Sequence, residues 1–147
     1  MGNSRALVDG DVPVLAALDA LCFGEEAWSE EQIKGSLSLP TTKGHGWFEG
    51  ETMVAFYLVQ TSGDETEILT IGVHPSHRRA GLGRQMIGHI LAAQAVGMVF
   101  LDVACDNMAA RRLYEGAGFM PFGFRPRYYQ RQGKAVDAIN YSFVLNG

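Results

Sequence analysis

Cysteine is scarce in this chain: Cys22 and Cys105 are the only two among 147 residues, too few and too far apart for a disulfide framework. No cysteine and histidine cluster has zinc spacing, so no metal is expected. Long apolar runs are missing as well. The hydrophobic stretches stop well short of the roughly 20 residues that span a bilayer, and Met1-Gly2-Asn3-Ser4-Arg5 opens into polar sequence rather than a signal-peptide core. Met1-Gly2 lacks the Ser or Thr that a myristoylation site needs at position 6, which holds Ala6. The expectation is a cytoplasmic protein with reduced thiols and no membrane partner. A basic excess is absent too: the formal net charge is -4, which argues against a nucleic-acid partner, because such binding displaces counterions with a basic patch. No repeat, low-complexity segment or linker interrupts the chain.

What is present is an apolar supply of 47% hydrophobic against 19% charged residues, enough for one globular domain over residues 1–147. Asp11-Val12-Pro13 starts a helix with Val14, Leu15, Leu18 and Leu21 as its stripe, ending near Phe23-Gly24. Ser29-Glu30-Glu31-Gln32 is a capping box for a second short helix that turns Ile33 and Leu37 inward. Two strands flank Glu49-Gly50-Glu51, and Glu65 to Val73 is a third. A main helix runs from about Gly81 to Val96 and stops at Gly97, followed by a buried strand from Met98 to Val103. Asp106 or Asn107 caps another helix ending near Gly116-Gly118, and two strands meet around Gly133-Lys134. Periodicity alone gives a mixed α+β class, a sheet with helices. Arginines crowd the second half and Asp9, Asp11, Asp19, Glu25, Glu26, Glu30 and Glu31 the first. That asymmetry fits an anionic cofactor held by one half and a cationic substrate met by the other.

The most informative segment is Arg78-Arg79-Ala80-Gly81-Leu82-Gly83-Arg84, set between the apolar run Ile68 to Val73 and an amphipathic helix. A helix N-terminus exposes N–H groups without intrahelical acceptors and carries about half a positive charge, so it holds an anion through the main chain. The turn matches neither a P-loop nor a G-x-G-x-x-G fingerprint. A phosphate-bearing cofactor outside those two classes is implied.

The spacing Arg78-x-x-Gly81-x-Gly83 resembles the [QR]-x-x-G-x-[GA] signature of the GNAT N-acetyltransferases. Ile71-Gly72-Val73-His74-Pro75 before it and Asn107-x-x-Ala110-x-x-Leu113-Tyr114-Glu115-x-x-Gly118-Phe119 after it resemble the same family. The resemblance implies the GNAT fold, a splayed mixed α/β sheet flanked by helices in the order β-α-α-β-β-β-α-β-α-β-β, and acetyl-CoA as cosubstrate. It assigns Arg78, Arg79, Ala80, Gly81, Leu82, Gly83 and Arg84 to the pyrophosphate. Main-chain groups of Ile71, Gly72 and Val73 go to the pantetheine and thioester. Asn107 is placed as a cofactor contact, compatible with its being a helix cap.

The resemblance implies Tyr114 as the acid that protonates the departing thiolate; otherwise an aromatic at that helical spacing packs on the core. Asp102 interrupts an apolar strand, where an unpaired carboxylate costs several kcal/mol if buried, on the order given by transfer data. The likeness is greatest to the bacterial ribosomal-protein alanine N-acetyltransferases (RimI type), which carry a glutamate as base at that place; here the side chain is one methylene shorter. Glu67, on the preceding strand, is the other candidate base, and a carboxylate pairing with an arginine or an amide is the alternative role for Asp102. His74 and His77 read as turn residues.

Phe23-Gly24-Glu25-Glu26-Ala27-Trp28-Ser29 and Arg127-Tyr128-Tyr129 resemble the acceptor segments of that group, with Ala27 replacing a proline, and so imply Trp28, Tyr128 and Tyr129 as substrate contacts. The expected reaction is acetyl transfer to the N-terminal α-amine of a protein, a small-subunit ribosomal protein beginning with alanine, by a monomer or weak homodimer. A small-molecule amine or amino-acid acetyltransferase of the same fold is the first alternative. A non-catalytic acyl-CoA-binding module is the second.

Overall fold

The computed structural model describes residues 3–78 and 80–146; Arg79, one position of the expected phosphate loop, lies outside the described residues, as do Met1, Gly2 and Gly147. In chain order the elements are β1 (Asn3–Ala6), α1 (Val12–Phe23), α2 (Glu30–Leu37), β2 (Thr42–Glu49), β3 (Thr52–Ser62), β4 (Glu65–Val73), α3 (Leu82–Ala92), β5 (Val96–Ala104), α4 (Met108–Gly116), β6 (Met120–Arg131) and β7 (Lys134–Asn146). The strands form one sheet in the order β1-β2-β3-β4-β5-β7-β6. Every junction is antiparallel except β4 beside β5.

Two apolar layers sandwich the sheet. On one face Val12, Leu15, Leu18 and Ile33 of α1 and α2 pack on Phe48, Met53, Phe56 and Leu58. On the other, Met86, Ile87 and Ile90 of α3 and Tyr114 of α4 cover Val54, Tyr57, Ile68, Val99, Leu101, Val103 and Tyr141. Because strand side chains alternate, β3 supplies both layers and reads as a nearly unbroken apolar run.

The β4–β5 junction is the feature that shapes the molecule. Parallel pairing lasts for three positions, Glu65 with Met98, Thr66 with Val99 and Glu67 with Phe100. Beyond them β5 stays with β7 as far as Ala104 opposite Ala138, while β4 stays with β3. At that point β4 carries a bulge: Leu58 faces Thr70 and Val59 faces Ile68, so Leu69 is the extra residue. A bulge bends its strand and strengthens the local twist, which carries β4 away from β5.

The structure corrects three local expectations. Val14 and Leu21 are 52% and 55% exposed; the buried stripe of α1 is Val12, Leu15, Leu18 and Asp19. The main helix ends at Ala92 rather than near Val96. Gln94 breaks it, its side chain bonding Thr66 and the carbonyls of Asp64 and Val96. Gly97 is therefore a strand residue at φ 109, not a helix cap. The α2 capping box is present as expected, with Gln32 N–H donating to Ser29 Oγ at 3.1 Å and Ser29 N–H to Gln32 Oε1 at 2.8 Å.

Far from the splay, α3 rests on β2 and β3 through an aromatic cluster. The His45 and His89 rings are 4.3 Å apart, with Trp47 and Tyr57 against both, and the Tyr57 hydroxyl meets His89 Nδ1 at 2.7 Å. Burial, then the neighbouring His89, depresses the pKa of His45, and burial pushes Tyr57 up to about 12. A histidine that resists protonation when folded contributes stability that is complete above its unfolded pKa of about 6.5 and is lost as the pH falls below it. The melting temperature should thus drop between pH 8 and pH 5.5, and His45→Phe should shrink that drop. Equal drops in the two proteins would refute it.

Candidate active site

The parting strands leave a slot that crosses the sheet. Ile68, Leu69, Thr70 and Ile71 of β4 form one wall and Leu101, Asp102, Val103 and Ala104 of β5 the other. Asn107, Ala110 and Tyr114 close it on the α4 side, and Phe23, Glu26, Trp28 and Tyr129 on the opposite side. From Ile68 onward β4 has no strand on its β5 side, so main-chain groups pointing that way lack ladder partners and face the slot.

At the C-terminal end of β4 the chain turns through Pro75–His77 into α3. His77 bonds Glu49 at 2.9 Å, Ser76 N–H donates to His74 Nδ1 at 3.0 Å, and Arg78 Nε donates to the Val73 carbonyl at 3.1 Å; both histidines are turn residues, as expected. Gly81 takes the left-handed conformation at φ 80 as the N-cap of α3, a geometry that favours glycine. The first bond of α3 runs from Gln85 N–H to the Gly81 carbonyl, which leaves the amides of Leu82, Gly83 and Arg84 without intrahelical acceptors. Gly83 brings α3 onto α4, since a Cβ there would lie 3.0 Å from Leu113.

Tyr114 lines the slot from beneath. It is 2% exposed, and burial, with a smaller push from Tyr129, raises its pKa well above the usual phenol value; no hydrogen bond contributes. Across the slot stands Asp102; Glu67 does not line it but is close enough to feel the Asp102 charge. Val99, Leu101 and Val103 belong to the α3 and α4 layer, so Phe100 and Asp102 project to the opposite face. Asn140 donates to Asp102 Oδ1, Arg125 Nε lies 3.8 Å from the same oxygen, and the Tyr129 hydroxyl donates to the Asp102 carbonyl at 3.3 Å. Burial raises the pKa of Glu67, the charge of Asp102 raises it further, and Arg125 pulls it back.

The mouth is strapped by ion pairs. Arg131, near the β6–β7 turn, reaches Glu26 at 2.7 Å and Asp106 at 2.6 Å, and Gln132 N–H donates to Glu25 at 2.6 Å.

Six of the expected site residues meet here, and the described phosphate-loop positions lie outside the slot lining. Ile71, Asp102, Asn107, Tyr114, Trp28 and Tyr129 all line the slot. Asn107 also caps α4, its Oδ1 accepting from Ala110 N–H at 3.1 Å. Val73 and Gly72 do not line the slot: the Val73 carbonyl accepts from Arg78 Nε and Cys22 Sγ, and a Cβ on Gly72 would lie 3.0 and 3.1 Å from Phe56 and Cys22. Tyr128 does not line the slot: it is 49% exposed, beneath the Arg125 guanidinium at 5.2 Å. Sequence reasoning gave pairing with an arginine or an amide as the alternative role of Asp102, which Arg125 matches, but it did not identify Arg125 or Asn140 and missed the strap of Glu26, Asp106 and Arg131. Pairing across 38 residues in one case and 105 in another leaves no local signature.

The family profile described as Acetyltransferase (GNAT) family matches residues 15–119. This chain is a GNAT acetyltransferase. It is 35% identical over 133 residues to the N-alpha-acetyltransferase RimI of Mycobacterium tuberculosis, covering 87% of this chain and 84% of that protein. To the ribosomal protein bS18-alanine N-acetyltransferase of Escherichia coli K12 it is 37% identical over 146 residues, 95% of each chain. The crystal structure of the ribosomal-protein-S18-alanine N-acetyltransferase from Escherichia coli superposes with a TM-score of 0.93 at 26% identity, covering 100% of this chain and 96% of that one. The order of elements and the splayed sheet are those of the GNAT fold. Among the described residues no helix is long and apolar enough to cross a membrane, and no group of three or more His, Cys, Asp or Glu is placed to hold a metal ion.

Proposed function

We propose that the chain, as a single domain over residues 1–147, transfers acetyl from acetyl-CoA to the N-terminal α-amine of a protein. The names of its relatives support an alanine-initiated ribosomal protein as the acceptor. The observation that carries the reading is the slot itself, lined from both faces of the sheet, with the Tyr114 phenol on one side and Asp102 on the other, and with Glu67 near enough to feel the Asp102 charge. Acetyl-CoA would lay its pyrophosphate on the free amides of Leu82, Gly83 and Arg84, with Arg78, Arg79, Ala80 and Gly81 completing the loop, and thread its pantetheine beside Ile71, Gly72 and Val73.

The amine attacks the thioester carbonyl from the carboxylate side. As the carbonyl oxygen gains charge, fixed β4 amides stabilise it without reorganising. Collapse of the tetrahedral intermediate breaks the C–S bond, and Tyr114 gives its proton to the leaving thiolate. Asp102 takes the ammonium proton, directly or through water. An α-amine has a reference pKa of about 7.7–8.0 against about 10.4 for lysine, so a modest base suffices. Asp102→Asn should lower kcat by about 10²-fold, within the usual range for losing a general base, and Asp102→Glu should restore most of it. The raised pKa of Glu67 favours a second assignment: if Glu67→Gln abolishes turnover and Asp102→Asn does not, Glu67 is the base.

The acceptor is tested by offering peptides that begin with alanine, the same peptides with blocked α-amines, polyamines and free amino acids. Acetylation of the free peptide terminus alone is the expected result. Turnover of polyamines or amino acids with inert peptides would transfer the reading to a small-molecule acetyltransferase, and tight coenzyme binding without acetylation of any amine would reduce it to a binding module.

A further inference from the structure

A carboxylate outside the reaction just described is more deeply buried than either candidate base. Asp19, on α1, is 0% exposed, and both its oxygens are engaged by separate elements. Trp28 N–H donates to Oδ2 at 2.7 Å, and the Thr70 hydroxyl donates to Oδ1 at 2.9 Å. Trp28 stands on the acceptor side of the slot, immediately before the α2 capping box. Thr70 directly follows Leu69, the extra residue of the β4 bulge. Both residues line the slot and Asp19 does not.

From this geometry we propose that Asp19 is a positioning residue that sets the distance between the acceptor wall and the thioester edge of β4. The bulge is the one break in the pairing of β4 with β3, and the Trp28 loop, which belongs to no strand, is tied to the residue after it through Asp19. A charged acceptor with two donors is a fixed spacer between them, since hydrogen bonds to a carboxylate are short and strong. Acyl transfer needs the nitrogen about 3–3.5 Å from the carbonyl carbon, and a shift of about 1 Å costs about 100-fold in rate. The coenzyme pyrophosphate is gripped elsewhere, at the start of α3, so loss of the spacer should spare coenzyme affinity. The inference rests on the reading of Trp28 as part of the acceptor wall, but it is measured as a ratio to the wild-type rate on whichever amine the wild type acetylates.

The test compares steady-state constants for wild type, Asp19→Ala, Asp19→Asn, Thr70→Val and Thr70→Ser, with melting temperatures alongside. Asp19→Ala should lower kcat/KM for the amine about 30- to 100-fold and Thr70→Val about tenfold, on the scale of misplaced reactants, with the acetyl-CoA KM within twofold of wild type. Asp19→Asn should retain activity within about threefold, because its amide oxygen can accept from Trp28 while its NH₂ donates to a Thr70 hydroxyl turned acceptor. Thr70→Ser should do the same. If Asp19→Ala fails to fold, Thr70→Val decides. Wild-type kcat/KM in folded Thr70→Val, or an acetyl-CoA KM that rises as far as the amine KM, would mean that Asp19 only stabilises the fold and would overturn the proposal.

Discussion

Tyr114→Phe is expected to lower kcat by about 100- to 1,000-fold, the usual effect of removing a general acid, while the acetyl-CoA KM changes little. Burial holds the phenol in its protonated form far above neutral pH, so the proton is present whenever the thiolate leaves. A neutral donor aimed at a developing anion does its work in the transition state, which is why the loss falls on kcat. Stability separates this role from packing. The ring meets Phe119 edge-to-face with centroids 5.5 Å apart and lies tilted against Tyr141 at 6.4 Å, and phenylalanine keeps those contacts. Since no hydrogen bond contributes at the hydroxyl, deleting it leaves no buried group without its partner. A variant that melts at or above the wild-type temperature yet turns over hundreds of times more slowly, by the general-acid range, is the predicted outcome. Unchanged kcat would remove Tyr114 from the chemistry.

Among the described glycines, Gly97 should be the one where an added methyl, as in Gly97→Ala, does most damage. Gly97 lies where β5 joins β4, just before the three paired positions, at φ 109; an added Cβ would sit 1.8 Å from the Asp64 carbonyl oxygen. That oxygen already accepts Met98 N–H at 3.0 Å, so backbone rather than a flexible side chain would have to move. Strain at a left-handed position together with a backbone clash falls among the severe mutational mechanisms, at about 4 kcal/mol or more, which for a chain of this length is a loss of roughly 10 °C in melting temperature. The same displacement would reset the angle at which the strands part, so coenzyme affinity should fall with stability. Gly88→Ala is the control: it lies inside α3 with nothing within 4 Å of a built Cβ, and should gain up to about 1 kcal/mol from helix propensity. If both variants melt alike, the close approach at Gly97 is not what holds the junction.

The same glycine shows where sequence reasoning stops. After an amphipathic run, Gly97 reads as a helix terminator, and only its place against Asp64 reveals that it permits two backbones to touch. By contrast β4, the α2 capping box and the turn into α3 are legible because each depends on near neighbours: alternating apolar residues, a serine three positions before a glutamine, glycines ahead of an amphipathic helix. The proposed base was readable in part. Asp102 stands out as a charge within an apolar strand, but its pairing with Asn140 and Arg125 depends on how β6 and β7 return beside β5. The bulge at Leu69 has no local signal, because it arises from the register of β4 against β3. Asp19 did carry a signal that went unread: an acid one turn after Leu15 and adjacent to Leu18, on the buried side of α1.

The central claim is that the parting of β4 and β5 holds the coenzyme with its sulfur at Tyr114 and receives the amine from the side of Asp102 and Glu67. A crystal structure with a conjugate of coenzyme A and an alanine-initiated peptide measures this directly. The account predicts the diphosphate on the amides of Leu82 to Arg84, the sulfur within hydrogen-bond reach of the Tyr114 hydroxyl, and the peptide nitrogen facing the two carboxylates. A conjugate seated outside the slot, or one whose sulfur points away from Tyr114 while the nitrogen lies on the α4 side, would contradict it.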